Sequence, residues 1–256
     1  MISERQKDIL WAVIEEHTRM AEPVSSKILA TKRGFEIGAP MIRKEMNQLE
    51  KEGYLASPHT SAGRVPTDKA YRLYIQENLT SKPATAGLNP KETQKVKESL
   101  GKNWEDEQSL LKEISRLTSE ISHELGVAGY LGGEGVYTCG FSNLLDDSNS
   151  ADFDNLSQLA RFMDNVDSHF ESLWNNFFRD DFGVFVGYEN PFKEISEFTL
   201  ITGRYHLPQG DEGLPAGRQG FVSVIGPKRM NYKRNMALVN YISGCLNSKL
   251  QNPNDK

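Results

Sequence analysis

Three short segments with helical periodicity occupy the first part of the chain, and a polar turn that contains glycine follows them. In the third segment, Ile42, Met46 and Leu49 recur at helical spacing, so they lie on one face of an α-helix. Pro40 fits the first turn of this helix because its missing N–H would have no partner there. Three helices followed by a hairpin with a basic tip predict a winged helix-turn-helix.

Local signals place the other elements of this region. Ser3 and Gln6 have the spacing of a capping box that opens the first helix. A second, short helix is predicted over residues 27–32, and the polar turn covers residues 58–64. Thr67 is expected to cap a fourth helix that closes the domain.

The rest of the chain predicts a linker and a second, α+β domain. Residues 1–80 form the first domain, and the Pro-, Ala- and Gly-rich residues 81–90 are interpreted as a linker. One long helical pattern over residues 91–125 is expected to connect them to an α+β domain over residues 126–256. The glycines of residues 126–135 favour a flexible stretch. Strands are predicted at 136–141, 182–188, 198–206 and 220–226, and helices at 152–163, 168–178 and 232–250.

Charge is distributed unevenly along the 256 residues, which carry a net charge of −5. Residues 1–82 contain 13 basic and 11 acidic side chains, a net charge of +2, whereas the remainder contains 17 and 24, a net charge of −7. A slightly basic first domain on an acidic body is typical of a DNA-binding module joined to a dimerisation or sensing module. No apolar run reaches the length of a signal peptide or a membrane span, so we expect a cytoplasmic protein without membrane contact.

Patterns of catalytic, metal and nucleotide sites are weak in this sequence. The five histidines lack metal-ligand spacing, and the glycines of residues 126–135 are not followed by lysine or a hydroxyl at P-loop spacing. Ser122, His123 and Glu124 are consecutive, so in a helix their side chains point apart and do not form a triad. Cys139 and Cys245 form no CxxC pair. We therefore expect no enzyme, no cofactor and no metal.

The third helix is the candidate DNA-contacting element. The N-terminal residues of such a helix reach base edges in the major groove, where Arg43 can bind guanine with two hydrogen bonds and Asn47 can pair with adenine. Lys44 suits a base or a phosphate, and Met41 shares the outward face. The backbone or minor-groove candidates are Ser25, Ser26, Lys27, His59, Thr60, Ser61, Gly63, Arg64, Lys69 and Arg72. The alternative is an ordinary amphipathic helix and a solvated hairpin turn.

Longer motifs resemble one family. The longest motif covers residues 58–72 (PHTSAGRVPTDKAYR), and the shorter ones upstream of it are SERQKDIL, EPVSSK, IRKEM and LEKEGYL. Together they resemble the N-terminal domain of the HrcA heat-inducible transcription repressors. GFSNLL, GYENP and VIGPKRMNY resemble the C-terminal part of that family. The resemblance implies a homodimer that binds an inverted-repeat operator of chaperone genes through double-stranded DNA contacts. It also implies a GAF-like dimerisation domain and the GroEL chaperonin as a partner that keeps the repressor active, so that heat releases repression.

Two departures from the family pattern bear on specificity and on the second domain. Lys44 replaces a usual Asn, and Pro40 and Met41 replace a usual Ala-Thr, so the operator is expected to differ. The chain is also short for the family, with the missing material expected between residues 123 and 137, which predicts a reduced GAF-like domain. Two alternatives remain: a regulator with a different operator and a small-molecule effector, and a winged helix that docks on another protein.

Overall fold

A computed structural model describes residues 2–32, 35–58, 63–78, 85–102, 106–132, 135–146, 153–174, 180–207 and 218–248. The chain divides into two compact units, Met1–Ser81 and Lys82–Lys256. In the first unit the elements are α1 (Glu4–Met20), α2 (Ser26–Lys32), α3 (Ala39–Lys51), β1 (Leu55–Ala56), β2 (Val65–Pro66) and α4 (Asp68–Asn78). Strands β1 and β2 pair in antiparallel fashion. The predicted winged helix-turn-helix is therefore confirmed.

The first helix is the scaffold of this unit. Its N-terminus has the predicted capping box, in which the Ser3 hydroxyl accepts from the Gln6 backbone and the Gln6 side chain accepts from the Ser3 backbone. Among the buried residues of α1, Ile9 and Val13 are fully excluded from solvent. The side-chain amide of Gln6 also donates to Glu45 Oε2 on α3 at 3.1 Å. A polar contact thus adds to apolar packing in fixing α3 against α1.

The third helix has one buried face, as its periodicity predicts. Ile42 and Leu49 are fully buried and Met46 is 3% exposed. Complete burial of one such side chain contributes roughly 1.5–3 kcal/mol to folding. The helix starts with Gly38 as its N-cap and Pro40 in its first turn. Because the buried stripe fixes the rotation of α3 about its axis, the opposite face is held outward.

The second unit is an antiparallel sheet packed between helices. Its elements are α5 (Pro90–Leu100), α6 (Glu107–Ser122), β3 (Leu125–Tyr130), β4 (Val136–Cys139), α7 (Phe141–Asp146), α8 (Phe153–Asp164), α9 (Val166–Ser172), β5 (Phe182–Val186), β6 (Phe198–His206), β7 (Gln219–Pro227) and α10 (Tyr232–Ser248). Short 3-10 helices cover Gly187–Glu189 and Lys193–Ile195. The strand order is β4-β3-β7-β6-β5, with every neighbour antiparallel. The predicted α+β class, with a GAF-like second domain, is confirmed.

Both faces of this sheet are covered. On one face, α6 packs on β3 and α10 packs on β6. On the other, an aromatic core joins Phe162 and Phe170 of α8 and α9 to Phe221 of β7, and the Phe170 and Phe221 rings stack with centroids 4.5 Å apart. No helix in the described ranges is long and apolar enough to cross a membrane.

The glycine-rich segment 126–135 is a correction to the sequence analysis, because it does not begin as a flexible stretch. Its residues up to Tyr130 belong to the buried strand β3, which pairs with β4 on one side and β7 on the other. A Cβ on Gly126 would lie 2.4 Å from the Ser115 carbonyl oxygen, and one on Gly129 would lie 2.8 Å from the Phe221 ring. These glycines are required by close packing and not by mobility.

Several other boundaries differ from the predicted ones. The long helix of residues 91–125 is two helices, since α5 ends at Leu100 and Asp106 caps the start of α6 by accepting from Ser109 N at 2.7 Å. The predicted strand at 136–141 ends at Cys139, and the one at 182–188 ends at Val186. The helix predicted at 168–178 begins earlier and its α-helical part ends at Ser172.

The proposed linker is only partly described. Residues 81–84 lie outside the described ranges. In the described part of the linker, a Cβ on Gly87 would lie 2.4 Å from the Lys233 carbonyl oxygen, so this position packs tightly on the start of α10. The domain boundaries at 80, 90 and 125 stay predictions.

Candidate nucleic-acid interface

The outward face of α3 carries the four residues that the sequence assigns to base contacts. Met41 is 42% exposed, and Arg43, Lys44 and Asn47 are also exposed. All four lie off the stripe formed by the buried residues of the same helix. A helix held in this way presents cationic and amide groups to a groove, with their positions set by the apolar core behind them.

Strands β1 and β2 form the wing of this unit, and the arm that carries β2 is anchored on the turn between α1 and α2. Val24 and Arg64 form an isolated antiparallel bridge with backbone N···O distances of 2.9 and 2.8 Å. Gly63 permits this approach, because a Cβ there would lie 2.4 Å from the Val24 carbonyl oxygen. The second arm of the wing is therefore fixed next to α2, and its position is tied to the rest of the unit.

The Arg64 side chain crosses to α3. Its Nη2 lies 2.9 Å from Glu50 Oε2 and donates to Asn47 Oδ1 at 3.0 Å. The Ser57 hydroxyl donates to the other carboxylate oxygen of Glu50 at 2.6 Å. Glu50 thus binds both arms of the wing, one through Ser57 and one through Arg64. The Arg64 side chain is only 20% exposed, so it is largely buried in this position.

A cavity of about 180 Å³ opens where the α1–α2 turn, α3 and the wing meet. Its walls combine three basic side chains with hydroxyl groups and backbone. Its lining residues are Val24, Ser25, Ser26, Lys27, Arg43, Met46, Asn47, Gly63 and Arg64. The Ser25 hydroxyl also accepts from Ile28 N at 3.4 Å, and so caps the start of α2. Seven residues assigned from sequence to DNA contacts therefore surround one cavity, which can accept an anionic group.

The remaining candidates lie elsewhere or outside the described residues. Lys69 donates to the Glu52 carbonyl oxygen at 2.8 Å and lies 4.1 Å from the centre of the Tyr54 ring, so it binds the C-terminal end of α3. Arg72 is half-buried on α4. His59, Thr60 and Ser61 lie outside the described residues.

Sequence reasoning missed Glu50 and Ser57. Neither residue is among the DNA-contact candidates that the sequence predicts. A usable signal was present: an acid on a helix expected to face phosphates needs a basic partner, and Arg64 is the basic residue at the wing. The pairing of Glu50 with Arg64 still depends on the folded hairpin, which brings the two side chains together.

Comparison with known proteins assigns the family. A family profile described as the HrcA protein C-terminal domain matches residues 72–236, more than half of the chain. The chain belongs to the HrcA family. A curated heat-inducible transcription repressor HrcA from Thermodesulfovibrio yellowstonii is 29% identical over 351 aligned positions, which cover 98% of each protein. That alignment is longer than this chain, so the chain lacks segments that the relative has.

A shorter sequence match agrees with this assignment, and a structural match agrees with the fold. The HrcA repressor from Geobacter sulfurreducens is 43% identical over 126 residues, which cover 49% of this chain and 36% of the relative. Over that match the chain spans about a third of the relative's length. A crystal structure described as that of a hypothetical protein has a TM-score of 0.79 and 18% identity, covering 97% of this chain and 98% of the other. It supports the fold of this HrcA family member.

Proposed function

We propose that this chain is a heat-inducible transcription repressor that binds an inverted-repeat operator of chaperone genes through the first unit. In this proposal Met41, Arg43, Lys44 and Asn47 contact base edges in the major groove. Backbone contacts come from the cavity residues Ser25, Ser26, Lys27 and Gly63, from the wing residues His59, Thr60 and Ser61, and from Lys69 and Arg72. Arg64 lies beside them.

The observation that carries this proposal is the joint geometry of α3 and the cavity. The exposed face of α3 and the cavity beside it share Arg43 and Asn47. A helix in the major groove places its neighbouring surfaces against the phosphates that border the groove. Lys27 and the hydroxyls of Ser25 and Ser26 stand at that border. Base contact and phosphate contact are therefore both available from one rigid surface.

The assembly and the control of repression belong to the same proposal, and they rest on the family resemblance. Two copies related by a two-fold axis would place two α3 helices on the two half-sites of a palindrome. The second unit supplies the dimer contact, the GroEL chaperonin keeps the repressor active, and heat stress releases it. Membership of a family of transcription repressors also supports a cytoplasmic regulator without catalytic activity.

Arg43→Ala and Lys27→Ala separate base contact from phosphate contact. Both variants and the unchanged chain are titrated with a palindromic duplex, selected from a random-core library with the unchanged chain, and with a scrambled duplex. Arg43→Ala should weaken binding to the selected duplex over the scrambled one by about 1–3 kcal/mol, whereas Lys27→Ala should weaken both similarly and reduce the salt dependence.

Lys91→Ala is the matched control, because it removes an exposed basic side chain from α5 of the second unit. It should leave both affinities unchanged. Equal losses on the two duplexes for Arg43→Ala would exclude base contact by Arg43. Failure of the unchanged chain to enrich any palindrome at low salt, where phosphate contacts are strongest, would overturn the proposed function itself.

A further inference from the structure

We propose that Arg64 and Glu50 fix the side-chain amide of Asn47 so that it offers hydrogen-bond donors to DNA, and that Asn47 therefore selects guanine over adenine. This inference rests on the proposed function and names the base chemistry of the same interface. It makes Arg64 and Glu50 positioning residues, and it replaces the adenine contact expected from sequence alone.

The orientation of the amide follows from the chemistry of its partner. A guanidinium group has N–H donors and no acceptor. The atom of Asn47 that faces Arg64 Nη2 at 3.0 Å must therefore be the oxygen Oδ1. The nitrogen Nδ2 of the same exposed side chain then points away from Arg64. The usual ambiguity between the two ends of an asparagine amide does not arise at this position.

Arg64 is itself held through both its backbone and its guanidinium group. Its backbone pairs with Val24, and its Nη2 lies 2.9 Å from Glu50 Oε2. Glu50 is held in turn by the Ser57 hydroxyl, at 2.6 Å. A side chain with both its backbone and its guanidinium fixed loses little further freedom when it orients a neighbour. Asn47 is thus oriented before DNA arrives, and the orientation adds no ordering cost on binding.

The base preference follows from the hydrogen-bonding groups of Asn47 that do not contact Arg64. A bidentate contact with adenine requires Oδ1 to accept from the adenine amino group while Nδ2 donates to N7. Arg64 already occupies one of the two lone pairs of Oδ1, so an adenine contact would require this oxygen to accept a second hydrogen bond beside the guanidinium group. Guanine presents two acceptors, N7 and O6, at this edge and no donor, so an N–H group of Nδ2 can donate to either of them. Asn47 held as a donor therefore favours guanine at its base pair.

A phosphate contact by Arg64 is the competing interpretation, and base preference distinguishes the two. If Arg64 bound phosphate, its loss would weaken binding to all sequences alike. If Arg64 orients Asn47, its loss frees the amide to turn, and the adenine contact becomes available. The affinity for adenine-substituted duplexes then changes relative to that for guanine duplexes.

The experiment uses the full chain and the palindrome that it enriches from a random-core duplex library. Asn47→Ala first identifies the base pair at which preference is lost. At that pair the unchanged chain should favour guanine over adenine by about tenfold. Arg64→Met, which keeps an unbranched side chain but removes every donor, should reduce this ratio to about twofold, and Glu50→Gln should shift it in the same direction. Lys27→Met, beside the same cavity, should lower affinity for both duplexes and leave the ratio unchanged.

Melting curves establish that each variant is folded before its ratio is measured. The inference is overturned if the unchanged chain favours adenine at the Asn47 pair, if Asn47→Ala changes no base preference, or if folded Arg64→Met and Glu50→Gln keep the tenfold ratio. These outcomes differ from failure of the proposed function, in which the unchanged chain enriches no palindrome at all.

Discussion

Gly63→Ala tests whether the close contact between the wing and the α1–α2 turn positions the DNA-binding surface. The added Cβ would lie 2.4 Å from the Val24 carbonyl oxygen and 2.8 Å from the Pro23 carbonyl carbon. Both are backbone atoms, so no side-chain rotation relieves the overlap. Ordinary contact for a Cβ begins at 3.4 Å, and the arm of the wing must therefore withdraw by about 1 Å.

The cost of this movement can be worked from the bridge between Val24 and Arg64. Its two backbone hydrogen bonds are 2.9 and 2.8 Å long. Withdrawal lengthens both to about 3.8 Å, beyond the distance at which such a bond persists. Each contributes about 0.5–1.5 kcal/mol, so the free energy of unfolding should fall by about 1–3 kcal/mol. In a unit of this size each kcal/mol lowers the melting temperature by about 4–8 °C.

The assay is a thermal scan of the full chain, together with titration of the selected palindrome. Gly63→Ala should lower both the melting temperature of the first unit and the affinity for DNA, since Arg64 moves with the wing. Gly244→Ala adds the same methyl group in α10, where nothing lies within 4 Å, and should stabilise the chain by about 0.5–1 kcal/mol without changing affinity. Unchanged stability and affinity in Gly63→Ala would refute the proposed role of the contact.

The other predictions concern the two cores and pH. Gly129→Val should destabilise the second unit by about 1–3 kcal/mol, because its Cβ would lie 2.8 Å from the Phe221 ring; a urea titration measures this. Leu49→Ala, at a fully buried position of α3, should cost about 2–5 kcal/mol in the first unit, measured in the same way, and should weaken DNA binding only as far as it unfolds the chain. Burial raises the pKa of Glu124 to about 8, against the opposing charge of Arg229. The folded chain then keeps a proton that the unfolded chain loses, so the free energy of unfolding should fall as the pH rises from about 4.5 to about 8, and Glu124→Gln should flatten that dependence.

Short-range signals in the sequence predicted the first unit well. The capping box of Ser3 and Gln6 acts across one turn, and the stripe of Ile42, Met46 and Leu49 repeats within one helix. Both depend on neighbours that the sequence itself places close together. For that reason the order of the helices and the burial of α3 agree with the prediction.

Long-range packing explains the main errors in the second unit. The glycines of residues 126–135 are compatible with a mobile segment or with a strand pressed against its neighbours. The choice depends on Ser115 and Phe221, which reach Gly126 and Gly129 only in the folded sheet. The break between the two helices near Gly101 was easier to predict from the sequence, since Asp106 and Ser109 have the spacing of a helix N-cap. A continuous apolar pattern across it concealed that signal.

The candidate site was predicted as a set of residues but not as an arrangement. Its basic and hydroxyl residues were named from the position of a helix and a turn, and most of them surround one cavity. The sequence assigned Arg64 to the tip of the wing as a direct contact, whereas the structure pairs it with Asn47 and Glu50. The contact between Arg64 and Asn47 spans 17 residues, so it depends on how the hairpin folds back on α3.

Under the proposed function, stability and base selection depend on different residues of this unit. The ion pair of Arg64 and Glu50 has side chains that are 20% and 32% exposed, and pairs of this kind contribute at most about 1 kcal/mol. Buried residues such as Ile42 and Leu49 dominate the free energy of folding. Glu50 therefore adds little to the free energy of unfolding, and its negative charge has some electrostatic cost beside a surface that is proposed to bind DNA. Its contribution lies in holding Arg64, and through Arg64 the amide of Asn47, so substitutions at Glu50 should alter base preference far more than melting temperature.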